Sequence, residues 1–126
     1  MKKRLLFVLL ALSLFVLPAC GLTQSLGSAS DTGKEFMTAL KNGDHQASWN
    51  LCTSDIQDEI GSYENWVDFA SIRNFDDFSF NSTNVENDKA TLEGEATLGG
   101  DAYKIVLILY KSGDAWKVAG LDFSLK

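Results

Sequence analysis

The order of apolar and polar residues divides the chain into three parts. Residues 5–17 are apolar apart from Ser13. Between residues 32 and 70, apolar residues recur three and four positions apart, which places them on one side of a helix. From residue 78 onward they alternate with polar residues, as they do in a strand with one buried face. The pattern predicts an apolar N-terminal segment followed by an α+β domain in which helices precede strands.

Three helices are predicted in the second part, each with its own N-cap. The first begins at Thr32, which is spaced from Glu35 as in a capping box. Asp44 caps the second helix, which is predicted with a break near Thr53. Ser62 caps a third, shorter helix that is rich in aromatic residues.

Four strands are predicted in the third part. The first lies around Phe78, and residues 90–98 alternate strictly in the second. Turns that contain Gly and Asp separate the third strand, residues 103–110, from its neighbours. In the last strand, residues 116–125, the alternation shifts phase, which predicts a bulge at Gly120. The second half of the third strand is apolar on both faces, so we expect it inside the sheet, covered on both faces by this chain or on one by a partner.

The N-terminal apolar run has the length of a signal peptide. Basic residues 2–4 precede it, and a helix of this length spans roughly 20 Å, which is less than the roughly 30 Å hydrocarbon core of a membrane. The stretch Leu17-Pro18-Ala19-Cys20 at its end resembles a bacterial lipobox, with an aliphatic residue three positions before the cysteine and a small residue just before it. The resemblance implies cleavage between Ala19 and Cys20 and lipid attachment to Cys20.

These segments predict a membrane-anchored lipoprotein of the bacterial cell envelope that faces the periplasm or the cell exterior. Residues 1–19 are the signal peptide, residues 20–30 are the lipidated cysteine and an uncharged, flexible tether, and residues 31–126 are a single α+β domain. Three of the 11 Lys and Arg lie in the signal peptide, so eight remain against 17 Asp and Glu, a net charge of −9. This acidity disfavours nucleic acid as a partner.

Two short motifs carry a resemblance to a known family. Residues 36–44 read Phe-Met-Thr-Ala-Leu-Lys-Asn-Gly-Asp, and Trp116-Lys117-Val118 follows a Ser-Gly-Asp turn near the end. In both respects the chain resembles the nuclear transport factor 2-like superfamily, and within it small bacterial lipoprotein domains of unknown function. The resemblance implies a cone in which about three N-terminal helices pack on a curved, four-stranded antiparallel sheet.

Candidate chemistry is sparse. Enzymes of the superfamily use an Asp, or a His–Asp pair, and a Tyr inside the cone, so the candidates implied here are the aspartates next to aromatic residues, Asp68, Asp76 and Asp77, with Tyr63 as a donor. His45 is the single histidine and is expected to face solvent. One histidine and scattered carboxylates predict neither a metal site nor a cofactor.

Cys52 is the only cysteine after Cys20, which excludes a disulfide within the mature chain, and its apolar neighbours predict a buried thiol. The first hypothesis for function is a non-enzymatic module that holds a small apolar ligand or an envelope protein. The second is a small enzyme of the isomerase or dehydratase type, which requires one of the aspartates to point into an enclosed cavity. The third is a lipoprotein that forms a homodimer through its sheet, because the third strand is apolar on both faces.

Overall fold

Four helices precede four strands in residues 24–126, the part of the chain that this computed structural model describes; side chains are described from Ala29 onward. The predicted signal peptide, its cleavage site and the lipid attachment site at Cys20 lie outside these residues. The helices are α1 (Gln24–Asn42), α2 (His45–Asn50), α3 (Ser54–Ile60) and α4 (Tyr63–Ser71). The strands are β1 (Asp77–Glu86), β2 (Lys89–Leu98), β3 (Asp101–Ser112) and β4 (Ala115–Leu125). None of these four helices combines the length and the apolar character needed to cross a membrane.

The first helix starts earlier than the sequence predicts. Helix α1 already includes Gln24, so Thr32 lies inside the helix, and the prediction of a capping box at Thr32 and Glu35 is wrong. Residues 24–30 are helical and do not belong to a flexible tether. Ala29 is completely buried in the core, and this packing stabilises helical turns that their Gly and Ser residues would not favour alone.

The predicted caps at Asp44 and Ser62 are confirmed, and Thr53 is a third cap at the predicted break. The side chains of Asp44, Thr53 and Ser62 each accept a hydrogen bond of 3.2 Å from the backbone N–H three residues further on. The cap at Thr53 divides the predicted second helix into α2 and α3. Gly43, with a φ of 72°, ends α1 in the left-handed conformation and lets Asp44 begin α2.

The strands form one antiparallel sheet in the order β1-β2-β3-β4, so every strand pairs with the next one in the chain. The predicted bulge in β4 is confirmed, because Ala119 is an extra residue directly before Gly120. A second bulge adds Asn81 to β1. Bulges bend a strand and increase its twist, and the sheet is curved and unclosed. The fold is the α+β cone that the sequence predicts, with α2 and α3 as separate helices.

Two glycines allow close approaches that define the shape of the cone. A Cβ atom at Gly94 would overlap the carbonyl oxygen of Ser79, so the curl of β1 over β2 depends on this glycine. A Cβ atom at Gly33 would overlap the side chain of Leu92, so α1 lies directly on the sheet at this point. The sheet therefore wraps around α1 at a short distance.

The concave face of the sheet supplies one half of the core. Along β3, Ile105, Leu107 and Leu109 are completely buried, whereas the alternate residues point to the convex face. The buried apolar side chains of the described chain form one cluster that spans residues 29–118. Residues 24–126 thus contain their own core, and we expect this segment to fold by itself.

Candidate functional site

An apolar cleft, which we call the α4–β4 cleft, lies between the short helices α3 and α4 and strand β4. Its volume is about 360 Å³, within the range of roughly 300–1,000 Å³ that is typical of small-molecule sites. Phe36, Trp66, Phe69 and Leu121 contribute to its apolar lining. Glu59 is the one charged residue among the described residues that line it.

The cleft begins where the edge of β4 loses its neighbour. The N–H of Val118 donates to the carbonyl of Leu51 at 2.7 Å, and the carbonyl of Val118 accepts from the N–H of Thr53 at 2.9 Å. The chain that leads into α3 therefore pairs with this part of the edge. Beyond the bulge at Ala119 the outer edge of β4 has no backbone partner among residues 24–126. The space between this open edge and α4 is the cleft.

Aromatic rings form the wall on the α4 side of the cleft. Trp66 stacks on Phe69 with ring centroids 5.2 Å apart and an interplanar angle of 26°. The Trp66 ring also lies 6.0 Å from each of Phe36 and Trp49. Its Nε1 donates a buried hydrogen bond of 2.8 Å to Oγ of Ser48. This bond fixes the orientation of the ring, because a buried indole N–H without a partner is costly.

Arg73 lies beside the cleft; it does not line the cleft itself, but it contacts Phe69, which does. Its guanidinium carbon lies 3.7 Å from the ring centroid of Phe69 and 5.2 Å from that of Phe123. Nη1 donates to the carbonyl oxygen of Phe69 at 2.8 Å. Nε is buried and has no hydrogen-bond partner within the described part of the chain. Burial lowers the pKa of the Arg73 guanidinium.

Cys52 lines the cleft from the α3 side and is buried, as predicted, with 4% of its surface exposed. Its Sγ donates to the carbonyl oxygen of Ser48 at 3.4 Å. Burial raises the pKa of the Cys52 thiol to about 12, an effect that the charge of Lys117 partly opposes. The thiol is therefore neutral at physiological pH and behaves as a small apolar part of the wall.

The three candidate aspartates are exposed and do not line the α4–β4 cleft. Oδ2 of Asp76 accepts a hydrogen bond of 3.0 Å from the N–H of Gly99, and Oδ1 of Asp77 accepts one of 2.9 Å from the N–H of Phe78. Asp68 lies on the exposed side of α4. The structure brings none of them into an enclosed cavity, which is the arrangement that the enzyme hypothesis requires.

The other polar candidates also lie away from the cleft. Tyr63 is partly buried and packs edge-on against Trp49, with centroids 6.2 Å apart. His45 is partly buried at the start of α2, and its Nδ1 has no partner among the described residues. Within residues 24–126, no group of three or more His, Cys, Asp and Glu side chains has an arrangement that could hold a metal ion.

A larger groove of about 720 Å³ lies between α1, α2 and β4. Charged residues of both signs line it, among them Asp31, Lys34, Glu35 and Lys117. The Nζ of Lys117 donates to the carbonyl of Asn50 at 2.8 Å, which satisfies the end of α2. This groove is a solvated junction between helices, so the smaller apolar cleft is the better candidate for a ligand site.

Neither Arg73 nor the α4–β4 cleft was predicted from the sequence. A signal for Arg73 was present, because it is the only Lys or Arg between Lys41 and Lys89 and it lies among aromatic residues. The cleft itself depends on contacts between α4 and β4, which are about 50 residues apart in the chain. Local patterns of polarity carry no information about such contacts.

Comparison with known proteins identifies similar folds but shows no family for this chain. The chain matches no protein-family model and no curated protein. It is similar to the structure of a nuclear transport factor 2-like protein of unknown function from Silicibacter pomeroyi, with a TM-score of 0.65 and 12% identity, over 83% of this chain and 98% of that one.

Two further structures of nuclear transport factor 2-like proteins of unknown function are similar. The one from Burkholderia xenovorans has a TM-score of 0.57 and 15% identity, over 82% of this chain and 86% of its own. The one from Cytophaga hutchinsonii has a TM-score of 0.55 and 12% identity, over 78% of this chain and 89% of its own. The predicted nuclear transport factor 2-like fold is therefore confirmed, and identities this low show the fold alone.

Proposed function

We propose that the protein is a lipid-anchored binding module of the bacterial cell envelope that holds a small apolar ligand in the α4–β4 cleft without chemical conversion. The observation that carries the proposal is the cleft, about 360 Å³ in volume and lined by aromatic and aliphatic side chains. Ordered aromatic walls are suited to an apolar ligand, because little side-chain entropy remains to be lost on binding.

The anchor is supported by the order of features at the N-terminus, namely basic residues, a short apolar run and a cysteine at its boundary. Residues 21–23 span at most roughly 10 Å when fully extended, so the lipid would hold the start of α1 close to the membrane surface. Replacing Cys20 by Ala should abolish labelling with a radioactive fatty acid and leave unprocessed precursor. Labelling that persists in Cys20→Ala contradicts the proposal.

The ligand is tested by native mass spectrometry of residues 24–126, exported to the envelope behind a cleavable signal peptide without the lipid cysteine and purified gently from those cells. A domain that begins at Gln24 keeps all of the described part of α1. The proposal predicts a bound small molecule that is absent from Ile60→Glu, which puts a charge into the lining of the cleft. The matched control is Ile72→Glu, because Ile72 is 67% exposed and outside the cleft. A bare wild-type domain contradicts the proposal.

A protein partner or a second copy of the chain is the second candidate, supported by the convex face of the sheet. Val106 and Ile108 are only partly buried there, and Tyr110 is 47% exposed. Light scattering of the domain at high concentration tests the homodimer. A monomer excludes it, whereas a dimer that Ile108→Glu dissociates supports it. The isomerase or dehydratase alternative has no comparable support, since its three aspartates are exposed.

A further inference from the structure

Arg73 occupies a position that its aromatic neighbours alone do not explain. The Phe69 ring has Trp66 stacked on one face, and the Arg73 guanidinium must therefore cover the opposite face. On its other side the guanidinium approaches Phe123 of β4. The guanidinium thus bridges Phe69 of α4, which lines the cleft, and Phe123 of β4, which follows the lining residue Leu121 by two positions.

Arg73 is partly buried, and its side chain has one hydrogen-bond partner among the described residues. Of its five N–H donors, one on Nη1 is bonded to the Phe69 carbonyl, and the N–H on Nε is buried without a partner in residues 24–126. A buried polar group without a partner is costly and calls for an explanation, such as an anion that binds beside it. Nη2 also forms no hydrogen bond within the described residues, and we assign the anion to the edge that Nε and Nη2 share.

The described residues supply no anion of their own. No carboxylate among residues 24–126 lies within 4.0 Å of Arg73, although the domain is strongly acidic. Glu59 lines the cleft and forms no ion pair with Arg73. A cation without an ion-pair partner beside an apolar cleft is complementary to a molecule that has one negative charge and an apolar body.

Resting on the proposed function, we infer that the ligand of the α4–β4 cleft is an apolar monocarboxylic acid, with its chain in the cleft and its carboxylate on Arg73. One guanidinium balances one negative charge and matches the planar geometry of a carboxylate. The doubly charged head of a phosphate monoester would require further cations, and the described lining of the cleft contributes an acid instead. The apolar lining accepts the hydrocarbon part.

The test compares octanoate, 1-octanol and octylamine, which share an alkyl chain and differ in the charge of the head. Calorimetric titration of residues 24–126 at pH 7.5 should give octanoate an affinity at least about tenfold above that of octanol, since hydrogen bonds to a charged group are worth about 1.5–3 kcal/mol. Octylamine should bind most weakly. The variant Arg73→Gln should lose the preference for octanoate and keep the affinity for octanol.

The two proposals fail in different ways. Equal affinity for octanoate and octanol overturns the inference and leaves the apolar site intact, whereas binding of neither overturns the apolar site as well. Circular dichroism checks the fold of Arg73→Gln. Glu59→Gln gives an independent readout, because removal of the nearby negative charge should raise the affinity for octanoate about two- to threefold and leave that for octanol unchanged. An unchanged octanoate affinity in Glu59→Gln contradicts the inference.

Discussion

The core has a closed side and an open side, and the two are built from different kinds of helix. On the closed side the 19-residue helix α1 crosses the sheet, and Gly33 brings its backbone directly onto Leu92 and Leu107, both completely buried. On the open side, α3 has seven residues, none of them buried, and α4 has nine. Large rings such as Trp66 hold these short helices away from β4, and the α4–β4 cleft remains between them.

The difference separates stability from binding. A long helix in close contact buries apolar surface efficiently and so stabilises the folded state. Short helices with partly buried side chains contribute less, and such segments open locally at a lower free energy than the core. The side that leaves room for a ligand is therefore the side on which mutations cost the least stability.

The largest difference in the free energy of unfolding is expected between two side-chain truncations, one on each side of the core. Leu107→Ala removes a completely buried side chain and should lower the free energy of unfolding by about 3 kcal/mol. Ile60→Ala removes a partly buried side chain at the cleft and should lower it by about 1 kcal/mol. Urea denaturation of residues 24–126 measures both values. Equal losses contradict the division of the core into two sides.

A second pair of variants tests the close approach of α1. In Gly33→Ala the new methyl group overlaps the end of the Leu92 side chain, so we expect a loss of about 2 kcal/mol after Leu92 shifts. The control is Gly120→Ala on the open side, where the new Cβ lies 3.6 Å from Cβ of Ile108 in ordinary contact. The midpoint of urea denaturation of Gly120→Ala should therefore change little. A Gly33→Ala variant that is more stable than the wild type would show that this contact does not restrict the position of α1.

The wall of the cleft should respond to the loss of one hydrogen bond. Ser48→Ala leaves Nε1 of Trp66 without its partner, and we expect a loss of about 1.5 kcal/mol and a shift in tryptophan fluorescence. Ser71→Ala is the control, because its Oγ bonds to the Asp68 carbonyl at an exposed site. Wild-type stability and fluorescence in Ser48→Ala would contradict the role given to this bond.

The smallest effect is expected from the titration of Cys52. Its pKa is about 12 in the folded protein and near 9.0 when exposed, so the folded state retains the proton between these values. The contribution of the Cys52 thiol to the free energy of unfolding is therefore fully present below pH 9 and is lost as pH rises toward 12. Between pH 9 and pH 10 the loss is roughly 1 kcal/mol. Cys52→Ala should lack this part of the alkaline loss. An identical pH profile for wild type and Cys52→Ala contradicts the assignment.

Local rules were sufficient for much of the fold. Strict alternation predicted strand β2, and the phase shift at Gly120 predicted the bulge, because backbone geometry enforces a period of two. Caps at Asp44 and Ser62 and a break near Thr53 were predicted, because a cap hydrogen bond spans only three residues.

Predictions from local sequence rules were wrong where contacts between distant residues determine the structure. Residues 24–30 were predicted to be a tether, but the burial of Ala29 makes them helical. The aromatic neighbours of Asp76 in sequence did not place it in a cavity, because adjacency in the chain does not fix the direction of a side chain. The position of Arg73 depends in part on its contact with Phe123, 50 residues away, and no sequence pattern connects the two.

The curl of the sheet at Gly94 has a consequence for how such a domain changes during evolution. The atom that excludes a side chain there is the Ser79 carbonyl oxygen, which belongs to the backbone and cannot be replaced by mutation. A descendant that loses this glycine must flatten its sheet or relocate the neighbouring bulge, whatever residues surround it. The curvature of the sheet at this point thus depends on a position without a side chain, and no change in the surrounding side chains can replace it.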